Sequence, residues 1–249
     1  MNLFRGATYP FRALGYLSRH PRLWGYVVVP ILLNLVVAAL LYLGLVVGGF
    51  AAIDQFVADT ALGNAFEWLL RAVLIIALLL VTGFLLVRFG VVLGSPWYGQ
   101  LSEQIEVEQL GSAPPAHPLT PLGIARDLWR ALMFELKKLL LFLVLGGLLL
   151  LLNLVPVAGQ IISLIGWTLL GAWIACLDFF DGPQERRGLL FRRKLANVRR
   201  ALPGSLGFGL IAFGLVSIPL VNLVSIPICV AAGTLFFCDY VSAEGRSEQ

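Results

Sequence analysis

The sequence predicts an all-α integral membrane protein: two long transmembrane helices plus two partly penetrating helical hairpins, with amphipathic cytosolic helices. Three observations predict it. Of 249 residues 59% are hydrophobic and only 13% charged, against roughly 25% charged in an ordinary soluble domain. Mean hydropathy is +0.90. The 18 basic and 14 acidic residues sit almost entirely between four long apolar tracts. A soluble fold of this length needs far more polar surface, and Gly-, Leu- and Val-rich tracts without heptad charges exclude disorder and coiled coil. The length suits a single membrane domain over residues 1–249.

Residues 1–22 read as an amphipathic segment, with Phe4, Phe11, Leu14 and Leu17 on one helix face suited to the membrane surface. Leu23–Ile53 holds 31 residues without a charge, more than the roughly 20 that cross the hydrocarbon. It is the first spanning helix, 23–53, with Pro30 in its early turns, where a missing N–H costs least. Ala72–Ser102 is broken only by Arg88 and holds the second spanning helix, 72–98. Gln100–Leu110 and Ile124–Leu136 read as amphipathic cytosolic helices, separated by the Gly111–Pro121 loop with its four prolines.

The remaining tracts are too long for one helix and carry internal breaks. Residues 139–177 form the first hairpin, with Pro156 and Gly159 at its tip and arms Leu139–Val155 and Gln160–Leu177. Residues 201–238 form the second, broken at Pro203, Pro219 and Pro227. Its arms, Ser205–Ile218 and Leu223–Cys238, reach only about 21 and 24 Å against a ~30 Å core, so it dips in without fully crossing. The hairpins look like a repeat: a basic pair (Lys137-Lys138, Arg199-Arg200), a proline turn (Pro156, Pro219), then Cys and Asp (Cys176 and Asp178, Cys238 and Asp239).

Charge placement sets the topology. Arg5, Arg12, Arg19 and Arg22 precede the first span, and Arg186, Arg187, Arg192, Arg193, Lys194, Arg199 and Arg200 lie between the hairpins. The positive-inside rule puts both termini and these segments in the cytoplasm. The basic run serves as a topology determinant that also touches anionic headgroups, in preference to a nucleic-acid patch, so no nucleic-acid partner is expected. Cys176, Cys229 and Cys238 lack C-x-x-C spacing and read as packing residues. His20 and His117 stand alone, and no P-loop, G-x-S-x-G or H-E-x-x-H motif is present. Neither an enzyme nor a metal or other cofactor is expected.

What remains is a small set of polar residues within the apolar tracts. Arg88 either snorkels to the headgroups or lines an anion path. Asn153, Gln160, Ser163, Ser217, Asn222 and Ser225 gather at the hairpin tips. Helix N-termini there present free N–H groups and partial positive charge, which suit an anion. Alternatively these side chains satisfy the turns' own backbone.

Ser95-Pro96-Trp97-Tyr98-Gly99-Gln100-Leu101-Ser102-Glu103-Gln104-Ile105-Glu106 resembles the Pro-aromatic…Leu-Ala/Ser-Glu-x-aliphatic-Glu stretch of the CysZ-type sulfate permeases. Pro30 and Asn34 fit that family's Pro-x-x-x-Asn opening. Val155–Gln160 and Ile218–Leu223 are similar to its two hairpin tips, and Asp178, Asp181 and Cys238-Asp239 to its acidic hairpin ends. The resemblance implies two long transmembrane helices, two partly penetrating hairpins, and a homo-oligomeric bacterial inner-membrane protein bringing in sulfate for cysteine synthesis. Where family members carry Gly-Leu/Ile-Arg-Arg, this chain has Pro21-Arg22-Leu23-Trp24-Gly25. Arg22 and Leu23 therefore stand at the family's anion-binding position, with Arg19 as a displaced second arginine. Two functions remain open: an ATP-independent permease for sulfate or a related oxyanion, and a non-transporting module that shapes membranes or scaffolds partners.

Overall fold

A computed structural model describes residues 2–58, 64–112, 121–218 and 221–241, except for the side chains of 56–58, 64–65, 84–92, 121–128, 131 and 241. Every regular element described is helical. In chain order these are α1 (Leu3–Ala7), α2 (Tyr9–Arg19), α3 (Trp24–Ala58), α4 (Asn64–Leu110) and α5 (Pro121–Leu152). Then come α6 (Ala158–Phe179), α7 (Asp181–Arg186), α8 (Phe191–Arg200), α9 (Gly204–Ser217) and α10 (Val221–Phe236). A 3₁₀ turn, Pro21–Leu23, leads into α3, and a π turn, Phe237–Val241, ends α10.

Four segments are long and apolar enough to cross a bilayer: Pro21–Gln55, Phe66–Gly83, Ala158–Phe179 and Val221–Tyr240. Their surroundings differ sharply. Only 6% of the apolar window in Pro21–Gln55 is buried, against 72% in Val221–Tyr240. Leu32, Leu40, Leu43 and Val47 of α3 and Leu140, Leu150 and Leu151 of α5 are all more than half exposed. In water such surface would drive aggregation; in hydrocarbon it is the ordinary outer face of a spanning helix. The chain is therefore a multi-pass membrane protein.

The packed core lies at one end, the base, where α2, α9 and α10 meet the α6–α7 junction. Its centre is aromatic: Tyr9, Phe180, Phe208 and Phe236 are fully buried. Phe236 stacks on Phe180 at 4.9 Å, and Phe180 on Phe208 at 5.2 Å. Leu17, Leu23, Val27, Leu101 and Ile105 surround them. From this base α3 and α4 rise as an antiparallel pair. Their far end is stapled by Arg71, which bonds Asp54 at 2.5 Å, pairs with Glu67 and covers the Phe50 ring.

Several elements differ from the sequence reading. The second span and the Gln100–Leu110 helix are one rod, since α4 continues unbroken through Pro96. Its lower half packs against α7 and α10, and this tertiary support holds the helix where Ser95-Pro96 alone would favour a stop. Likewise Ile124–Leu136 and the first hairpin arm form the single helix α5. Pro227 lies inside α10 without ending it, because that segment is held on several sides by the core. Leu17 does not share the outward face of Phe11 and Leu14. It is buried with Tyr9 and Ala13, one helical turn apart each, because α10 packs on that stripe. The second hairpin's turn at Pro219 lies outside the described residues, and so does His117.

Candidate functional site

The base is organised around a buried carboxylate. Glu106 on α4 is fully buried, and Arg186 of α7 donates to its Oε2 from Nε at 3.2 Å and Nη2 at 2.7 Å. Arg187 reaches the other oxygen and lies over the Phe237 ring at 4.9 Å. Arg186 also donates to Ser102 Oγ at 2.8 Å, and Thr234 Oγ1 of α10 lies 2.8 Å from that same hydroxyl. Ser102 and Glu106 are four residues apart and so share one face of α4. Beside them Lys194 of α8, 2% exposed, bridges Asp181 and Glu185 at 2.5 Å each. Burial raises the Asp181 carboxyl above its ordinary range, with the Lys194 ammonium opposing. Lys138 of α5 holds Asp178 at 2.6 Å.

These pairs fix α4, α5, α7 and α8 to one another, and they occupy the charges they use. Arg186, Arg187, Lys194 and Lys138 are all taken up by carboxylates. Part of the basic run read as a topology determinant touching anionic headgroups is thus tied up inside the structure.

The predicted anion-binding residues separate into three groups. Arg19 and Arg22 are exposed at the α2–α3 junction, and neither pairs with a carboxylate among the described residues. Between them His20 lies 3.8 Å from Glu108 and stacks on Tyr16. The Tyr16 hydroxyl donates to Glu108, and burial together with this bond pushes it up to about 12. Leu23 stands apart from the arginines: it is 2% exposed, and its N–H already donates to the His20 carbonyl at 3.0 Å. It anchors the core.

The hairpin tips form the second group. Asn153 and Gln160 are exposed. The N–H groups of Ala158, Gly159 and Ile161 bond to the carbonyls of Pro156, Val155 and Val157, so the start of α6 keeps few donors for a ligand. Ser163 Oγ donates to Leu149 O and Ser217 Oγ to Phe213 O, at 3.0 and 2.7 Å. The hydroxyls Ser163 and Ser217 therefore bond to backbone carbonyls rather than facing an open site.

The third group lies deeper. Asn222 near the start of α10 is 2% exposed, and its Oδ1 has no hydrogen-bond partner among the described residues. Ser225 one turn on is 4% exposed. Asn34 on α3 is 1% exposed. α3, α4 and α10 pack on one another, and two contacts give their register. Gly49 of α3 faces Leu74 of α4, and Ser102 of α4 faces Thr234 of α10. Followed along antiparallel α3–α4 and parallel α4–α10, this carries Asn34, position 88 and Asn222 to within about two helical turns of one level. The side chain of Arg88 itself lies outside the described residues.

Residues 9–227 match the family model described as Sulfate transporter CysZ/Etoposide-induced protein 2.4. The chain belongs to this family. Relatives named Sulfate transporter CysZ in Salmonella typhimurium and Salmonella enteritidis PT4 are each 27% identical over 241 residues, spanning 94% of this chain and 92% of theirs. The matched stretch of this family member contains Asn34, Arg88 and Asn222 as well as the Glu106 cluster. Sequence reasoning had singled out Glu106 only as part of a motif. Its buried partners, Arg186 and Arg187, lie some 80 residues away in the chain, a pairing no local pattern encodes.

Proposed function

We propose that this family member is an ATP-independent permease for sulfate or a closely related oxyanion. In this reading it sits in a bacterial inner membrane with both termini cytoplasmic and supplies sulfate for cysteine biosynthesis. Its partners are the anion, membrane lipids and further copies of itself. The observation that carries the reading is the family match across residues 9–227, together with relatives named as sulfate transporters over nearly their whole length. The polar level of α3, α4 and α10 supports it. A divalent anion leaving water loses solvation worth many kcal/mol unless several donors converge on it. Asn34, position 88 and Asn222 stand within about two helical turns of one level on otherwise apolar helices, and the residue at position 88 is an arginine. The buried Asn222 amide, its oxygen unpaired among the described residues, costs the fold stability, and a role in binding would account for that cost. Arg19 and Arg22, exposed and unpaired with acid among the described residues, gather anions at the mouth, and the exposed tip residues Asn153 and Gln160 line the approach from the other side.

The test is radiolabelled sulfate uptake into proteoliposomes. Saturable flux above empty vesicles is expected, with sulfite competing and chloride not. Asn222→Leu and Arg88→Gln each lower flux by about tenfold or more, as befits loss of a hydrogen bond to a charged group. Arg19→Gln with Arg22→Gln raises KM more than it lowers the maximal rate. Absence of flux from folded protein overturns the permease reading and leaves the membrane-shaping scaffold.

A further inference from the structure

We infer that α8 is an interfacial helix whose arginine face binds the headgroups of anionic phospholipids in the surrounding bilayer. The interior run of basic residues is divided by the fold. Lys194 and Val198 of α8 are buried against the body, Lys194 held by Asp181 and Glu185 and lying 4.3 Å from the Phe134 ring centroid. Arg192, Arg193, Arg199 and Arg200 are all exposed, and none pairs with a carboxylate among the described residues. At about 100° per residue these four side chains occupy an arc of roughly 120°, centred opposite Lys194 and Val198. Four cations on one arc with no counter-charge are complementary to a plane of phosphates.

Geometry favours a lipid surface over an aqueous anion. α8 meets α9 at a bend of 105°, and α9 carries no charged residue and is apolar apart from Ser205 and Ser217, whose hydroxyls bond to backbone carbonyls. With α9 directed into the hydrocarbon, α8 lies along the membrane plane. Apolar side chains flank the arginines: Leu190 just before α8 is 69% exposed, and Leu202 just after it 38%. The same corner carries α1, whose Gly6 abuts Gly204 and whose Leu3 abuts Gly207. Phe4 of α1 is 81% exposed there, next to exposed Arg5. Basic groups interleaved with outward apolar residues are what an interfacial helix needs, the former for phosphates and the latter for the acyl boundary. The corner is stiff, since Ser205 Oγ donates to Val198 O at 2.7 Å. This inference does not depend on what the protein transports.

The experiment uses the purified full chain in detergent, titrated with dioleoylphosphatidylglycerol or dioleoylphosphatidylcholine, with retained lipid counted by native mass spectrometry. Phosphatidylglycerol is expected to be retained over phosphatidylcholine by about fivefold or more, with the preference shrinking as salt rises. The variant Arg192→Gln, Arg193→Gln, Arg199→Gln, Arg200→Gln brings the two lipids near parity, whereas the matching four-Lys variant keeps most of the preference. Millimolar sulfate leaves phosphatidylglycerol in place. Unchanged preference in a monodisperse Gln variant overturns the inference. So does displacement of the lipid by sulfate, which would assign the face to aqueous oxyanions. If the fourfold variant fails to fold, Arg192→Gln with Arg193→Gln and Arg199→Gln with Arg200→Gln are measured as separate pairs. Each then loses part of the preference, and no loss in either overturns the inference.

Discussion

Glu106 has no exposed surface, so its charge is tolerated only because Arg186 and Arg187 surround it. Removing one side of such a cluster strands the other. Glu106→Ala is expected to cost about 3–5 kcal/mol, because two largely buried guanidinium groups lose their partner. Thermal unfolding in detergent checks this, and a loss below about 1 kcal/mol contradicts it. Adding Arg186→Leu to the variant recovers part of the loss, since an apolar replacement removes one stranded charge. At this scale the sequence was only partly legible. Cys176, Cys229 and Cys238 read as packing residues and are buried thiols. Arg186, Arg187 and Lys194 read as part of a topology-setting run touching headgroups yet pair with carboxylates in the body, because composition reports how many charges a segment has and not which way a helix turns them. Asn222 was visible as a polar residue in an apolar tract. Its unpaired oxygen emerged only once α10 was packed.

The helices themselves were better legible than their limits. Apolar tracts placed the bodies of α3, α4, α6, α9 and α10, since hydrophobic length is the strongest signal a membrane chain carries. Prolines misled at Pro96 and Pro227, where packing against neighbouring helices outweighs the lost N–H. The crossing of α1 over α9 was not legible, for it rests on two glycines far apart in sequence. A Cβ on Gly207 would sit 1.9 Å from the Leu3 carbonyl oxygen, and one on Gly6 1.8 Å from that of Gly204. Backbone, not a flexible side chain, is the obstacle, so relief requires moving the helix. Gly207→Ala is therefore expected to destabilise by about 1–3 kcal/mol through overpacking and to loosen α1. Gly214 on the same helix faces open space. Gly214→Ala should be neutral or stabilising by up to about 1 kcal/mol, from helix propensity alone. Thermal midpoints of the two variants in detergent separate steric contact from propensity. Equal responses would mean that α1 does not pack as described.

For the whole molecule, the division of charge between the two ends of the helix pair predicts an orientation. The base carries Arg5, Arg12, Arg19 and Arg22, the exposed arginines of α8 and the Glu106 and Lys194 clusters. The far end, some 35 residues of α3 away, carries Asp54 and Glu67 against Arg71. The fold thus gathers residues that are dispersed along the chain onto one side of the membrane. Positive charge near span ends is retained in the cytoplasm, so the base should face inward and the α3–α4 turn outward. The buried native thiols give little background for testing this by labelling. Ser18→Cys places a reactive thiol on the exposed surface of α2 at the base, and Asn64→Cys places one at the start of α4. An impermeant maleimide added to intact spheroplasts should label Asn64→Cys at once and Ser18→Cys only after permeabilisation. The reverse pattern would invert the molecule and put the Arg19 and Arg22 mouth outside. Labelling of both before permeabilisation would mean that the charge difference between the ends is too small to fix one orientation, leaving the chain inserted both ways.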